Sequence, residues 1–186
     1  GMLEKILKFD RDLFLILNNS LESGFNDLFL GGLTLAGYLY VLLPAALFYL
    51  YTIDKKNFKR NSIILVAAIL LGGLIVQILK QLVARPRPLK EMEPLILSGK
   101  VRVHNLFYAY REGSFPSGHT QAAFGAATAL ICIYRKHALY LILIAFLMGL
   151  SRIYVGVHFP LDVIFGGILG VLASFAVFKI AAKHLK

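Results

Sequence analysis

Charge is what this sequence has least of. Asp, Glu, Lys and Arg make up 16% of its 186 residues, against 58% apolar, and a soluble domain carries roughly 25% charged residues. That balance excludes a water-surfaced globule and points to the bilayer. Tryptophan is absent and cysteine occurs once, at Cys132 inside an apolar run, so a disulfide framework and a thiolate metal site are excluded and Cys132 reads as a packing residue. The sequence has no His-Glu-x-x-His and no surplus of carboxylates for magnesium. It has neither an internal repeat nor a low-complexity tract, and no period-2 alternation of the kind a membrane barrel needs. Glu4, Lys5, Lys8, Asp10, Arg11 and Asp12 would interrupt the apolar core of a secretory signal. Gly1 ahead of Met2 has the form of an expression scar, and residues 2–186 read as a single membrane-embedded domain.

Five apolar stretches are present: Phe25–Ile53, Ser62–Val83, Ser117–Tyr134, Ala138–Val155 and Leu161–Ala182. Each approaches the roughly 20 residues that a helix needs to cross about 30 Å of hydrocarbon. Backbone groups in lipid must bond internally, so these stretches are expected to be helices. Ahead of them, Ile6, Leu7, Phe9, Leu13, Phe14 and Leu17 recur at helical spacing among charges, which predicts an amphipathic helix in the interface. The expected fold is therefore all-α, an integral membrane bundle of about five transmembrane helices plus an N-terminal interfacial helix.

The net charge of +10 lies mostly in short links, where it speaks of topology and anionic headgroups rather than nucleic acid. Lys55, Lys56, Lys59 and Arg60 fill the first link, Arg135 and Lys136 the third, and Lys179, Lys183 and Lys186 lie at and beyond the end of the fifth stretch. Five alternating spans put these three segments on one side, which the positive-inside rule makes cytoplasmic. Arg85–Phe115 and Gly156–Pro160 then face outward. Tyr38, Tyr40, Tyr49, Tyr51, Phe107, Tyr108 and Tyr110 read as an aromatic belt, and Gly166-x-x-x-Gly170 as close helix packing.

A charge inside a membrane helix costs about 2.5–3.5 kcal/mol or more on insertion scales, so each one calls for a reason. Lys80, Arg87, His119, Arg152, His158 and Asp162 all fall at the outward ends of the predicted spans. Cations, imidazoles and one carboxylate at one depth suit a polyanion, most simply a phosphate. In Pro116-Ser117-Gly118-His119 a helix begins, and its free amides would point at such an anion. Pro160 suits the first turn of the last helix, which leaves His158 just outside it and Asp162 one turn along.

These residues also fall into a three-part signature: Lys80 through Arg87-Pro88, then Pro116-Ser117-Gly118-His119, then Ser151-Arg152 through His158 to Asp162. In order and spacing the chain resembles the type-2 phosphatidic acid phosphatases, the membrane branch of a superfamily that includes the vanadium haloperoxidases. The resemblance spans Lys80–Asp162. It implies that His158 is the nucleophile, forming a phosphohistidine, that Asp162 orients it, and that His119 protonates the leaving oxygen and later activates water. It also implies that Lys80, Arg87, Arg152, Ser117 and the Gly118 amide hold the phosphoryl oxygens, and that the reaction needs neither metal nor cofactor. Arg85 is left a spare cation without a role.

The resemblance implies a lipid phosphate as substrate: lipid A 1-phosphate first, with undecaprenyl pyrophosphate, phosphatidylglycerol phosphate and phosphatidic acid as alternatives. It implies a multi-pass protein of the bacterial inner membrane with its site facing the periplasm or outside. The bilayer is its only expected partner besides substrate; neither nucleic acid nor an obligate protein partner is expected. An anion transporter and a non-catalytic lipid-phosphate binder are the readings from other classes. Segment Lys90–Tyr110, which mixes Leu95, Ile96, Leu97, Val101, Val103 and Leu106 with charges, is either a membrane-dipping gate or a covering loop. Chelation tests the metal expectation: phosphate release should be unchanged in EDTA, and revival of a dead apo-protein by one divalent ion would overturn it.

Overall fold

The structure is a computed structural model and describes residues 1–107 and 110–184, the side chain of His184 excepted; Tyr108 and Lys186 lie outside the described residues. All regular elements among them are helical. The five predicted apolar stretches are helical, but two depart from a simple span. Phe25–Ile53 is broken into α2 (Gly24–Ala36) and α3 (Leu39–Ile53), bent by 78° to one another. Gly37 and Tyr38 stand at the break, and Pro44, lacking an amide hydrogen, lies within α3. The central stretch forms α7 (Gly118–Ile133), whose 16 residues reach about 24 Å at 1.5 Å per residue.

Three elements are long and apolar enough to cross a bilayer: the stretch led by α4 (Phe58–Val83), α8 (Ala138–Tyr154) with the 3-10 turn before it, and α9 (Pro160–His184). The bent α2–α3 pair makes a fourth if it is one span.

α7 is the axis of the bundle. It packs on α9, α4, α8 and α3, and Ala122, Ala123, Ala126, Ala127 and Ala129 are buried along it. Small residues matter here because helices in lipid associate by close packing rather than by hydrophobic expulsion. The contact with α9 is made backbone to backbone. A Cβ on Gly166 would stand 2.4 Å from the Ser117 carbonyl oxygen, and one on Gly170 would stand 2.4 Å from that of Gln121. The Gly-x-x-x-Gly packing expected from sequence is thus present, and the Ser174 hydroxyl closes the seam by donating to the carbonyls of Gly125 and Gly170.

The ends of the bundle are segregated as the links imply. Asp54, Arg60, Asn61, Tyr134 and Ala181 line one pocket at one end. At the other end lie the N-termini of α7 and α9 and the C-termini of α4 and α8. Residues 84–107 and 110–117 cover that end and contain two short helices, α5 (Pro88–Glu91) and α6 (Glu93–Leu97). Met92 is buried there against Phe14 and Phe159, so part of the cover belongs to the protein core.

The N-terminal helix α1 (Met2–Ser20) is amphipathic as expected, but it does more than ride on the interface. Asp10, Phe14 and Asn18, spaced by four, are its buried residues. Asn18 donates to the carbonyls of His104, Ile153 and Tyr154 and accepts from the His104 amide. One side chain thereby joins α1, the cover and the end of α8.

Close packing of this kind leaves no room for a methyl group. Gly170→Ala should lower stability by about 1–3 kcal/mol through overpacking, whereas Gly32→Ala, with nothing within 4 Å of the new Cβ, should be neutral. Thermal melting of both variants in detergent measures the difference, and equal midpoints would contradict this account of the seam.

Candidate active site

The site assembles where four helix ends meet. Ser117 is the N-cap of α7, with its oxygen accepting from the Thr120 amide and hydroxyl; its own amide donates to the Asp162 carbonyl at 2.9 Å. Gly118 is the first residue of α7, so its amide is among the first-turn donors that no helical carbonyl can satisfy. His119 follows and packs edge-on against Tyr38, ring centroids 4.6 Å apart. A Cβ on Gly37 would come within 3.0 Å of the His119 ring. Tyr38 is therefore a wall of the site rather than a member of the aromatic belt.

His158 stands in the link between α8 and α9, fully enclosed. Gly156, at φ +79°, makes the turn; a side chain there would meet the His104 carbonyl. Asp162 lies one turn into α9. Its Oδ2 accepts from the Phe159 amide at 2.8 Å and the Ser114 hydroxyl at 2.5 Å, and its Oδ1 accepts from Arg85 at 2.8 Å. The His158 Nδ1 is 3.7 Å from Asp162 Oδ2, beyond hydrogen-bond length but within ion-pair reach, and catalytic hydrogen bonds often tighten only around substrate. Burial lowers the proton affinity of His158 below the usual imidazole range, against the opposing pull of Asp162. His158 is thus held neutral near neutral pH, with a ring nitrogen's lone pair free.

The cations surround this pair. Arg152 is buried, donates to the Thr34 hydroxyl at 2.6 Å, and has an Nε with no hydrogen-bond partner among the described residues. Lys80 donates to the Gly113 carbonyl. Arg87 donates to the carbonyls of Glu112 and Val157 at 2.7 and 3.2 Å, with its guanidinium 4.9 Å from the Tyr110 ring centre. His119 is within electrostatic reach of Arg152, His158, Arg87 and Lys80. Its Nε2 is likewise buried without a hydrogen bond among the described residues. Leaving a buried donor or acceptor unsatisfied costs about 1–3 kcal/mol, and here the orphaned atoms belong to groups suited to a phosphoryl oxygen and a leaving group.

A cavity of about 380 Å³ adjoins His119 and is lined by Tyr38, Gly73, Gln77, Gly118 and Gln121. Its rim includes Leu70 and Leu74, which are exposed on the apolar flank of α4.

The structure thus gathers every residue that the sequence nominated. A profile of the PAP2 superfamily matches residues 61–186. The chain belongs to the PAP2 superfamily. It is 30% identical to the lipid A 4'-phosphatase of Bacteroides thetaiotaomicron, over 98% of this chain and 81% of that protein. To the undecaprenyl-diphosphatase of Sulfolobus acidocaldarius it is 31% identical, over 92% and 78%. The crystal structure of Aquifex aeolicus LpxE superposes with a TM-score of 0.77 at 36% identity, covering 90% of this chain and 93% of that one. This PAP2 protein is a membrane-embedded lipid phosphatase.

The structure adds four groups that motif reading missed. Arg85 is no spare: besides Asp162 it pairs with Asp10 at 2.8 Å and lies 4.1 Å from the Phe159 ring centre. Ser114 bonds Asp162, and Thr34 bonds Arg152. Thr34 had a weak signal as a lone hydroxyl in an apolar run, Asp10 sat on the same helical face as Phe14, and Ser114 had none. Thr34→Val removes only the hydroxyl that holds Arg152. It should lower kcat/KM about 10- to 150-fold, the loss of one charged hydrogen bond of about 1.5–3 kcal/mol; steady-state assay of the purified variant reads it, and an unchanged value would remove Thr34 from the site.

Proposed function

We propose that this PAP2 protein removes the 1-phosphate of lipid A through a phosphohistidine on His158, at the outward face of the bacterial inner membrane. The observation that carries the reading is the enclosed His158 with Asp162 at its Nδ1 side and Arg87 and Arg152 around it. With Nδ1 facing the carboxylate, Nε2 is the nitrogen that attacks. Its lone pair forms an N–P bond as the P–O bond to the lipid breaks, and His119 passes a proton to the departing oxygen. Water then attacks phosphorus, His119 takes up its proton, the N–P bond breaks and inorganic phosphate leaves. Lys80, Arg87, Arg152, the Ser117 hydroxyl and the Gly118 amide stabilise the charge spread over the three phosphoryl oxygens.

Lipid A is supported by the lipid A 4'-phosphatase relative. The cavity between His119 and the apolar flank of α4 suits a leaving group that stays in the bilayer. The outward orientation rests on Lys55, Lys56, Lys59, Arg60, Arg135 and Lys136 lying at the end remote from the site. Undecaprenyl diphosphate is the competing substrate, favoured by the second relative above.

A panel of purified lipid phosphates separates these readings: lipid A bearing phosphate at the 1- or the 4'-position, undecaprenyl diphosphate, phosphatidylglycerol phosphate and phosphatidic acid. Lipid A 1-phosphate should give the highest kcat/KM. His158→Ala should keep its melting point and lose phosphate release by at least ~1,000-fold, as removal of a nucleophile does. Rapid quench should trap an alkali-stable, acid-labile phosphoenzyme in the parent alone; a fully active His158→Ala would overturn the mechanism. The pH profile should be bell-shaped, since His158 must be neutral while His119 carries a proton.

A further inference from the structure

α1 carries none of the signature motifs, yet one of its side chains reaches the foundations of the site. Asp10 is almost completely buried although it belongs to a helix rich in exposed charge. Its Oδ1 accepts from the Leu161 amide at 2.9 Å, in the first turn of α9, and its Oδ2 accepts from Arg85 at 2.8 Å. The same guanidinium donates from its other terminal nitrogen to Asp162 Oδ1 at 2.8 Å. Glu91 stands 3.7 Å from the Arg85 Nε, and the Phe159 ring covers the guanidinium face. One arginine is therefore pinned from several sides, with Asp162 at one fork and Asp10 at the other.

We propose that Asp10 and Arg85 are positioning residues for the nucleophile, acting through Asp162, and that α1 is in this way a working part of the catalytic machinery. The proposal rests on the reading of His158 and Asp162 given above. Arg85 is turned toward carboxylates and not toward the phosphate cradle, so it does not serve as another phosphate-binding cation. A carboxylate that must face His158 needs its second oxygen held, because rotation about the Cβ–Cγ bond would carry Oδ2 away from the imidazole. Arg85 supplies that hold at Oδ1, while Ser114 and the Phe159 amide supply it at Oδ2. Asp10 in turn orients Arg85 and ties the start of α9 to α1 by way of Leu161. A planar fork with two well-separated donor nitrogens is needed to join the two carboxylates, and an ammonium group is a poor substitute.

The test is a double-mutant cycle on the full-length protein in detergent, with phosphate release from a lipid phosphate monoester as the readout. Asp10→Asn should lower kcat by ~10-fold to ~100-fold, the scale of a small misplacement of a reacting group. KM should be nearly unchanged, because Lys80, Arg87 and Arg152 are untouched. In the Asp162→Asn background the same change should cost nothing further, since the residue it acts through is already lost. Arg85→Lys should reproduce the kcat defect with KM preserved, and it keeps the test decisive if Asp10→Asn does not fold; Asp10→Glu should restore part of the rate. The proposal is overturned if the Asp10 and Asp162 effects multiply independently, if the loss falls on KM, or if Asp10→Asn and Arg85→Lys, both folded by thermal melt, turn over at the parental rate. His158→Ala, run in parallel, keeps the outcomes apart: activity surviving there defeats the phosphohistidine reading, whereas multiplying effects with His158→Ala dead defeat only the proposal for Asp10 and Arg85.

Discussion

Two helices touching through their backbones fix the geometry on which everything else rests. α7 brings Ser117, Gly118 and His119, and α9 brings Asp162 and follows directly on His158. Glycines at 166 and 170 let α9 lie against the Ser117 and Gln121 carbonyls, and the Ser117 amide donates to the carbonyl of Asp162 itself. The proposed proton donor, His119, and the proposed support of the nucleophile, Asp162, thus share one seam. Packing of this closeness is stiff, since interiors at native density resist displacement. Rigid elements hold a reacting constellation better than loops do.

Around that seam the chain solves a charge problem. Cations brought together for a phosphate repel one another in the unliganded protein, and all of them lose water on burial. The structure answers by lending each a partner that is not the substrate: Thr34 for Arg152, loop carbonyls for Lys80 and Arg87, and carboxylates for Arg85. The loop carbonyls of Glu112 and Gly113 are neutral acceptors, weaker than an anionic oxygen, so exchanging them for phosphate is favourable. The carboxylates held by Arg85 are charged and enclosed, and breaking such a pair commonly costs about 3–5 kcal/mol. The first kind of contact is exchangeable and the second is structural, although all of these cations come from a short stretch of sequence or face one small volume.

Much of this was legible beforehand, and the reasons differ from element to element. The helices announced themselves because hydrocarbon permits little else, and the six charged residues at their outer ends stood out because charge in lipid is costly. Spacing then placed Lys80, Arg87, His119, Arg152, His158 and Asp162 at one level. What stayed hidden depended on contacts between distant segments. Asp10 and Arg85 are far apart in the chain, and each alone resembles an ordinary interfacial charge. Ser114 carries no pattern, and Thr34 gains meaning only once the turn of α2 sets it beside Arg152. The break after Ala36 was also unmarked, because Gly37 and Tyr38 are individually compatible with an unbroken helix.

That break has a consequence for how a lipid can come and go. Gly37 and Tyr38 end one helix and begin another beside the His119 ring. A wall made of two short rods joined at an elbow yields more readily than one continuous rod. Passage of a bulky headgroup can therefore be borne by the elbow, leaving the glycine-locked pair undisturbed. The elbow and the glycine seam are separate helix contacts, so the wall beside His119 can differ between such proteins without rebuilding the seam that carries Asp162.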